Sequence, residues 1–488
     1  MLISFKTKTI NWEDFLALFF CIIVYLFSMY TGKLSPDSAN YLIMATPSVD
    51  GYLCQYNGEL WGVYACGYSV LIYALDLLSG LGSYESSKLL NVLVLFFLYL
   101  VFSHIFESKK LSLLLTFTPF NILIAFFTWS ENVVILSFAI YILVLMRAKS
   151  KEKLDLVTYV GVFVAIIIGC FSRFAFAPFS VVLFLAGFTL LGKKNLRIFP
   201  VFLVCALLFV VYKYFASFND MERLIAPESF DWLLYSFFTF VSVYTFKHIT
   251  LLIPLLFTRK TRSFKTNIQT KNRNWFLFFA VCGLGYLMIS LTMRAIVHYD
   301  FYNVRTVGFG VSLLYSSSLI YLYDRLGVWS KKHLLVYFLL MQLVFTIFNP
   351  HAVKNIFEGK YKELEYINNL IEKQQHTRDS ISITFGRFDD SRVPGTSIKR
   401  FNLENPNTFI RGIPGAPYAR KLDIDEFREL LDGSSCQLYF PPDYTLAQLE
   451  QRLYQKYKVG FDEYILKYDE ELIEFFIQKF ITGDNSCY

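Results

Sequence analysis

The sequence predicts an all-α polytopic membrane domain of about eleven transmembrane helices with juxtamembrane helices, followed by a small C-terminal α/β domain outside the membrane. Composition, the length of the apolar runs and the spacing of the basic residues predict it. The 488 residues are 55% apolar and 19% aromatic, and only 17% are charged. A single soluble core stops growing at about 250–300 residues and cannot absorb that much apolar surface.

The apolar residues arrive in runs, each near the roughly 20 residues a helix needs to cross hydrocarbon. The first is Phe15–Tyr30. Its Leu16–Met29 core is followed by Tyr30-Thr31-Gly32-Lys33 without a small-x-small cleavage site, so it reads as an anchor. Further spans are expected at about 86–106, 111–128, 132–146, 156–172, 175–192, 198–216, 231–257, 275–293, 306–324 and 333–348. Gly67–Leu81 is apolar but short and contains Asp76. It is expected to lie along or dip into the outer leaflet.

The net charge of +7 is no nucleic-acid signature, because the basic residues cluster between apolar runs. The clusters are Lys6 and Lys8; Lys109 and Lys110; Arg147, Lys149, Lys151 and Lys153; Lys193, Lys194 and Arg197; Arg259 through Arg273; and Arg325, Lys331 and Lys332. They fall at every second loop if Gly67–Leu81 does not span. The positive-inside rule then puts the N-terminus in the cytoplasm and the segment after Asn349 outside. The domain organisation follows: 1–349 as the membrane domain, with a long outer loop at 31–84, and 350–488 as the outer domain. Cys21, Cys170, Cys205 and Cys282 lie in apolar runs, whereas Cys54, Cys66, Cys436 and Cys487 fall outside. That set is compatible with Cys54–Cys66 and Cys436–Cys487 bridges, although sequence does not fix connectivity.

In the C-terminal part, Tyr361–Gln375 and Asp423–Leu431 read as helices, and Ser380–Phe385 and Cys436–Phe440 as strands. Thr445–Tyr457 reads as a helix opening on an N-cap, and Val393–Ala419 is rich in Pro, Gly and Asn.

Charged residues recur at the outer ends of the runs. They occur in Ser35-Pro36-Asp37-Ser38-Ala39-Asn40-Tyr41, Trp129-Ser130-Glu131-Asn132, Ser172-Arg173-Phe174 and His298 through Arg305. An acid beside a bound acceptor and a cation on a phosphate leaving group are what glycosyl transfer from a lipid phosphate requires. The bland alternative is solvated loop residues. Lys247 and His248 lie within the expected span 231–257, where a cation is either functional or snorkelling to the interface. His104 reads as a packed histidine, and Asp220, Glu222 and Glu228 as solvated. No Cys/His spacing suggests zinc, and no Gly-rich phosphate loop is present.

These motifs, in this order, resemble the GT-C superfamily of membrane glycosyltransferases, which use polyprenyl-phosphate sugars. Asp37 followed four residues later by Tyr41 is similar to that family's acidic first-loop motif. Trp61 through Gly67-Tyr68-Ser69-Val70-Leu71 resembles its Trp-Pro-Pro-Gly-Tyr-Pro-Leu segment, with Ala65-Cys66 and Ser69 in place of the prolines. Lys88-Leu89-Leu90-Asn91 is similar to the Arg-Leu-Leu-Asn start of the next span. Ser130-Glu131 resembles the second outer acid, and Ser172-Arg173-Phe174 resembles Thr-Arg-Tyr. Tyr302-Asn303-Val304-Arg305 stands where an Arg-Tyr motif is usual, with order and spacing changed.

The resemblance covers residues 10–350 and implies that Asp37 activates an acceptor hydroxyl for inverting attack. It implies that Glu131 positions the acceptor, Asp37 or a metal, and that Arg173 and Arg305 hold the lipid phosphate. Tyr41, Trp61, Tyr68, Lys247 and His248 complete the candidate substrate contacts. No cofactor is fixed, and a divalent metal is left open. The implied partners are a polyprenyl-phosphate-linked sugar, membrane lipids and an envelope glycan or lipid acceptor, in the cytoplasmic membrane. Size, short N-terminus and outer C-terminal segment look like the serotype-modifying O-antigen glucosyltransferases. The rival readings are a transporter or flippase of a lipid-linked saccharide, which internal repeats and broken helices would favour, and a non-catalytic membrane scaffold.

Overall fold

A computed structural model describes residues 11–31, 36–45, 47, 53–56, 59–60, 65–106, 108–151, 153–216, 230–250, 270–297, 304–325, 380–385, 409–413, 435–439, 445–453 and 470–484. The chain forms two compact units: Met1–Lys33 with Met44–Val353, and Leu34–Ile43 with Lys354–Tyr488. The short segment Leu34–Ile43 groups with the second unit.

The described helices begin with α1 (Trp12–Thr31), α2 (Pro36–Ala45), α3 (Gly67–Ser79), α4 (Ser83–Ile105), α5 (Lys109–Thr116), α6 (Pro119–Phe126) and α7 (Glu131–Ser150). They continue with α8 (Leu156–Ser172), α9 (Phe176–Leu191), α10 (Phe199–Ala216), α11 (Phe230–Thr250), α12 (Thr270–Val297) and α13 (Val304–Arg325). Six helical stretches among the described residues are long and apolar enough to cross a membrane, or seven if α5 and α6 form one span. The expected spans 175–192 and 198–216 fall within one 37-residue stretch, Phe176–Tyr212, which the 3-10 turn Gly192–Ile198 divides into α9 and α10. The expected span at 333–348 lies outside the described residues.

The run read as one span at 111–128 is bent by 54° between α5 and α6. Pro119 has no N–H to give the preceding turn and takes the first helical position of α6. The Thr118 hydroxyl then accepts from the Asn121 N–H at 3.3 Å, restarting the helix. Helix α3 has 13 residues, about 20 Å at 1.5 Å per residue, short of a roughly 30 Å hydrocarbon layer. Its Asp76 accepts from the Gly82 N–H at 2.8 Å and so closes the turn into α4.

Two antiparallel hairpins position the charged helix ends. In α7–α8, Arg147 donates to Asp155 at 2.7 Å at one end, and Arg173 pairs with Glu131 at the other. In α12–α13, the Ser317 hydroxyl donates to the Phe276 carbonyl, and Ser290 donates to the Thr306 carbonyl. Midway, a Cβ on Gly283 would lie 2.9 Å from the Gly310 carbonyl oxygen, so only glycine allows these backbones to approach. Close approach of small residues is how helices associate where lipid supplies no hydrophobic drive. Between the hairpins lies an aromatic core. Phe138 meets Phe278, Phe279 and Phe309 at 5.7–6.0 Å, and Tyr286 meets Phe179 and Phe309 at 5.1 Å.

Among the described residues, Lys109, Lys151 and Lys194 lie at one end of this bundle. Lys194 donates to the Lys151 carbonyl at 3.0 Å, joining two of them. Lys109 pairs with Asp14 of α1, and neighbouring Ser108 bonds to Tyr323 near the end of α13 at 2.6 Å. Glu131, Arg173 and Arg305 lie at the helix ends opposite these.

In the second unit, β3 (Ser380–Phe385) is the centre of a parallel three-stranded sheet, between β4 (Phe409–Ile413) and β5 (Ser435–Tyr439). Ile381 stands opposite Phe409 on one side and Cys436 on the other. The unit also contains α14 (Leu446–Leu453) and α15 (Glu470–Thr482), which bury Leu449 and Phe476. Strand β4 falls in the stretch read from sequence as Pro/Gly/Asn-rich. Its Phe409-Ile410-Arg411-Gly412-Ile413 is too short to show a period beside so many turn residues. The expected helices Tyr361–Gln375 and Asp423–Leu431 lie outside the described residues.

Candidate active site

Three charged residues from three sequence-distant helix ends meet in the first unit. Glu131 opens α7, Arg173 follows the last residue of α8, and Arg305 is the second residue of α13. Arg305 donates from Nε to Glu131 Oε1 at 2.5 Å and from Nη2 to Oε2 at 3.3 Å. Arg173 donates from Nη1 to the same Oε1. The Glu131 side chain is 2% exposed, Arg173 7% and Arg305 14%. A buried carboxylate is costly unless paired, and here two guanidiniums meet it. Among these three groups positive charge exceeds negative by one. Beneath Arg305, the Trp129 ring lies 4.9 Å from the guanidinium carbon, a cation–π contact. With its oxygens occupied as acceptors, Glu131 orients the two arginines.

The corner carrying Trp129 and Glu131 is held by α4. Lys88 donates to the Phe126 carbonyl at 2.7 Å, and Asn91 donates to Ala125 and Phe127 at 3.2 and 2.9 Å. The Ser87 and Thr128 hydroxyls are 2.8 Å apart. From inside the corner, Asn132 donates to the carbonyls of Ile124, Phe127 and Trp129 at 3.0–3.2 Å. Sequence reasoning saw Lys88 and Asn91 only as the start of a span. A lysine within an apolar run was the available signal. Tyr68, expected to touch substrate, is fully buried and donates its hydroxyl to Asn91 at 2.7 Å. That bond ties Tyr68 to the same support.

The segment that precedes α3 reaches the same region through a disulfide. Cys54 and Cys66 are bridged, with Cα atoms 5.6 Å apart, around a short hairpin of β1 (Gln55–Tyr56) and β2 (Glu59–Leu60). The Cys66 N–H donates to the Tyr212 hydroxyl at 3.4 Å, and Tyr212 stacks on Phe171 at 4.3 Å, just before Arg173. Cys21, Cys170, Cys205 and Cys282 are buried free thiols.

Asp37 and Tyr41 lie on α2, where Tyr41 is buried. The Asp37 side chain, Trp61 and Cys487 lie outside the described residues, as do the side chains of Lys247 and His248 on α11 and of Cys436 on β5. No group of three or more His, Cys, Asp or Glu among the described residues could hold a metal ion. The Glu131 carboxylate, faced by two guanidiniums, does not fit a divalent cation.

This architecture is that of a polytopic helical membrane protein with an ion cluster at the ends of its helices. No protein-family profile matches the chain, and no curated protein matches it in sequence. In three dimensions it is similar to ArnT from Cupriavidus metallidurans. The apo structure gives a TM-score of 0.57 at 12% identity, over 88% of this chain and 93% of that one. The structure bound to undecaprenyl phosphate gives 0.57 at 13% identity, with the same coverage. At such identity the likeness establishes a shared fold.

Proposed function

We propose that this protein is an inverting glycosyltransferase that moves a sugar from a polyprenyl-phosphate carrier to an envelope glycan. The observation that carries the reading is the Arg173–Glu131–Arg305 cluster with Trp129 under Arg305. Its two guanidiniums, with planar donors, suit a phosphate. The fold adds support, since ArnT is a polyprenyl-phosphate-sugar-dependent glycosyltransferase of the GT-C family and has been captured with undecaprenyl phosphate.

In the proposed reaction the acceptor hydroxyl attacks the sugar's anomeric carbon. The bond from that carbon to the phosphate oxygen breaks, and the hydroxyl proton passes to Asp37. Arg173 and Arg305 stabilise the charge gathering on the departing lipid phosphate. A single displacement inverts the anomeric centre. Tyr41, Trp61, Tyr68, Lys247 and His248 remain candidate substrate contacts on the motif resemblance. The remaining details belong to the same proposal: about eleven spans in the cytoplasmic membrane, an outer C-terminal α/β domain bridged by Cys436–Cys487, and glucose transfer to O-antigen.

Mass spectrometry of lipids and glycans from cells with and without the gene tests the reading. A hexose-sized difference on one envelope glycan is expected. An unmodified glycan inventory with a lipid-linked saccharide accumulating would instead favour the transporter.

A further inference from the structure

We propose that Lys88 is a positioning residue that sets where Arg305 presents its guanidinium, an inference that rests on reading the arginine pair as the phosphate-binding element. Lys88 is fully buried in the first turns of α4. An ammonium inside an apolar bundle is expensive, and a Met or Leu would fill the same space without that cost. The charge therefore has a use that packing alone does not supply.

Its surroundings show that use. Phe126 ends α6, so its carbonyl is among the last four that the helix leaves unpartnered, at the negative end of the helix dipole. The Lys88 ammonium donates to that carbonyl at 2.7 Å and lies 5.2 Å from the centre of the Tyr84 ring. Ser87 and Asn91 grip the neighbouring Thr128, Ala125 and Phe127. Four consecutive residues leading into Trp129 are thus tied to α4.

From that grip the path to Arg305 is short. The Trp129 N–H donates to the Phe127 carbonyl at 3.0 Å, and the two rings stack at 4.2 Å with planes 8° apart. Arg305 in turn lies 4.9 Å from the Trp129 ring. A shift of the Phe126–Phe127 backbone is carried by the stack to Trp129 and from there to the guanidinium. On the far side, Tyr68 holds Asn91, linking this clamp to the helix that follows Cys66.

The test is the dissociation constant of undecaprenyl phosphate for the purified full chain, measured beside its melting temperature. Lys88→Met is expected to raise that constant about tenfold, as loss of supporting contacts around a site does. Its melting temperature should hold or rise, because an apolar isostere in place of a buried charge is commonly neutral or stabilising. Lys88→Arg, which keeps the cation, should recover most of the affinity. A purely structural lysine would lose stability and affinity in step, and that outcome overturns the proposal. So does wild-type affinity in Lys88→Met beside lost affinity in Arg305→Gln. Unchanged affinity in Arg305→Gln as well would overturn the phosphate reading itself and the positioning role with it. If Lys88→Met does not fold, Ser87→Ala removes only the hydroxyl that meets Thr128 and should weaken binding by about threefold. Unchanged binding there and in Tyr68→Phe would sink the clamp.

Discussion

Arg305 reaches across 174 residues of sequence to place its Nε 2.5 Å from Glu131, sharing that carboxylate oxygen with Arg173. Removing the shared carboxylate leaves two largely buried guanidiniums facing each other. Glu131→Ala is therefore expected to lower stability by about 3–5 kcal/mol. Adding Arg173→Met should restore part of the lost melting temperature, because one of the two facing cations leaves with it, but should restore no transfer activity. Thermal unfolding in detergent reads both effects, and a wild-type melting temperature in Glu131→Ala would show that the cluster does not hold the helix ends together.

Asp37 carries the proposed base. Asp37→Asn keeps the shape and removes proton acceptance, so turnover should fall by about 10²–10⁴-fold while donor binding survives. Product formation and lipid-phosphate binding are measured side by side. Near-normal turnover at normal protein level would remove Asp37 from the mechanism.

The parts of this arrangement were unequally legible in the sequence. Glu131, Arg173 and Arg305 each stood at the outer end of an apolar run, so their membrane depth could be read. That two arginines share one carboxylate could not, because contacts between residues 42 and 174 positions apart depend on how hairpins pack. Pro119 was visible inside the run 111–128, yet run length outweighed it, and the bend between α5 and α6 was missed. Lys88 was legible as the start of a span and not as a clamp, since periodicity gives a helix its faces without naming what a polar side chain meets. Tyr68 sat in a motif that suggested substrate, and its bond to Asn91 could not be read from that motif.

At the basic end of the bundle, hydrogen bonds from the Arg147 guanidinium and from Thr158 hold Asp155 well below the usual carboxylate range. Asp155 also caps α8, through the Thr158 N–H at 3.0 Å. A depressed folded pKa means that this stabilisation is present above the unfolded value, about 3.9, and is lost as pH falls through the folded one. Asp155→Asn should therefore melt below wild type at neutral pH, with the gap closing only under strongly acidic conditions. A gap that is constant with pH would assign the effect to capping geometry rather than charge.

The alternation of basic clusters in the sequence predicts the orientation. A reporter active only outside the cytoplasm should be active when fused after Tyr488 and silent when fused at Lys265. The reverse pattern would put Arg173 and Arg305 on the cytoplasmic side and remove the proposed outer-face reaction.

Gly67 offers a probe of the arginine site that leaves every charge in place. A Cβ there would lie 2.9 Å from the backbone carbon and oxygen of Phe171 and 2.6 Å from the Ser172 hydroxyl. The hydroxyl could rotate away, but the Phe171 backbone cannot without moving the end of α8. Arg173 follows directly, and its N–H bonds back to the Gly169 carbonyl at 2.9 Å, so a shift of that last turn reaches the guanidinium. The Cys54–Cys66 bridge and the Tyr212 contact resist retreat on the other side, at the start of α3. Gly67→Ala should therefore lower transfer by about 10²-fold, the cost of a misplacement near 1 Å, although it adds a single methyl group. Ala65→Gly, two residues away and outside that close approach, is the control and should stay near wild type in turnover. Equal turnover in Gly67→Ala and wild type would show that α3 and the end of α8 move independently of the arginine pair.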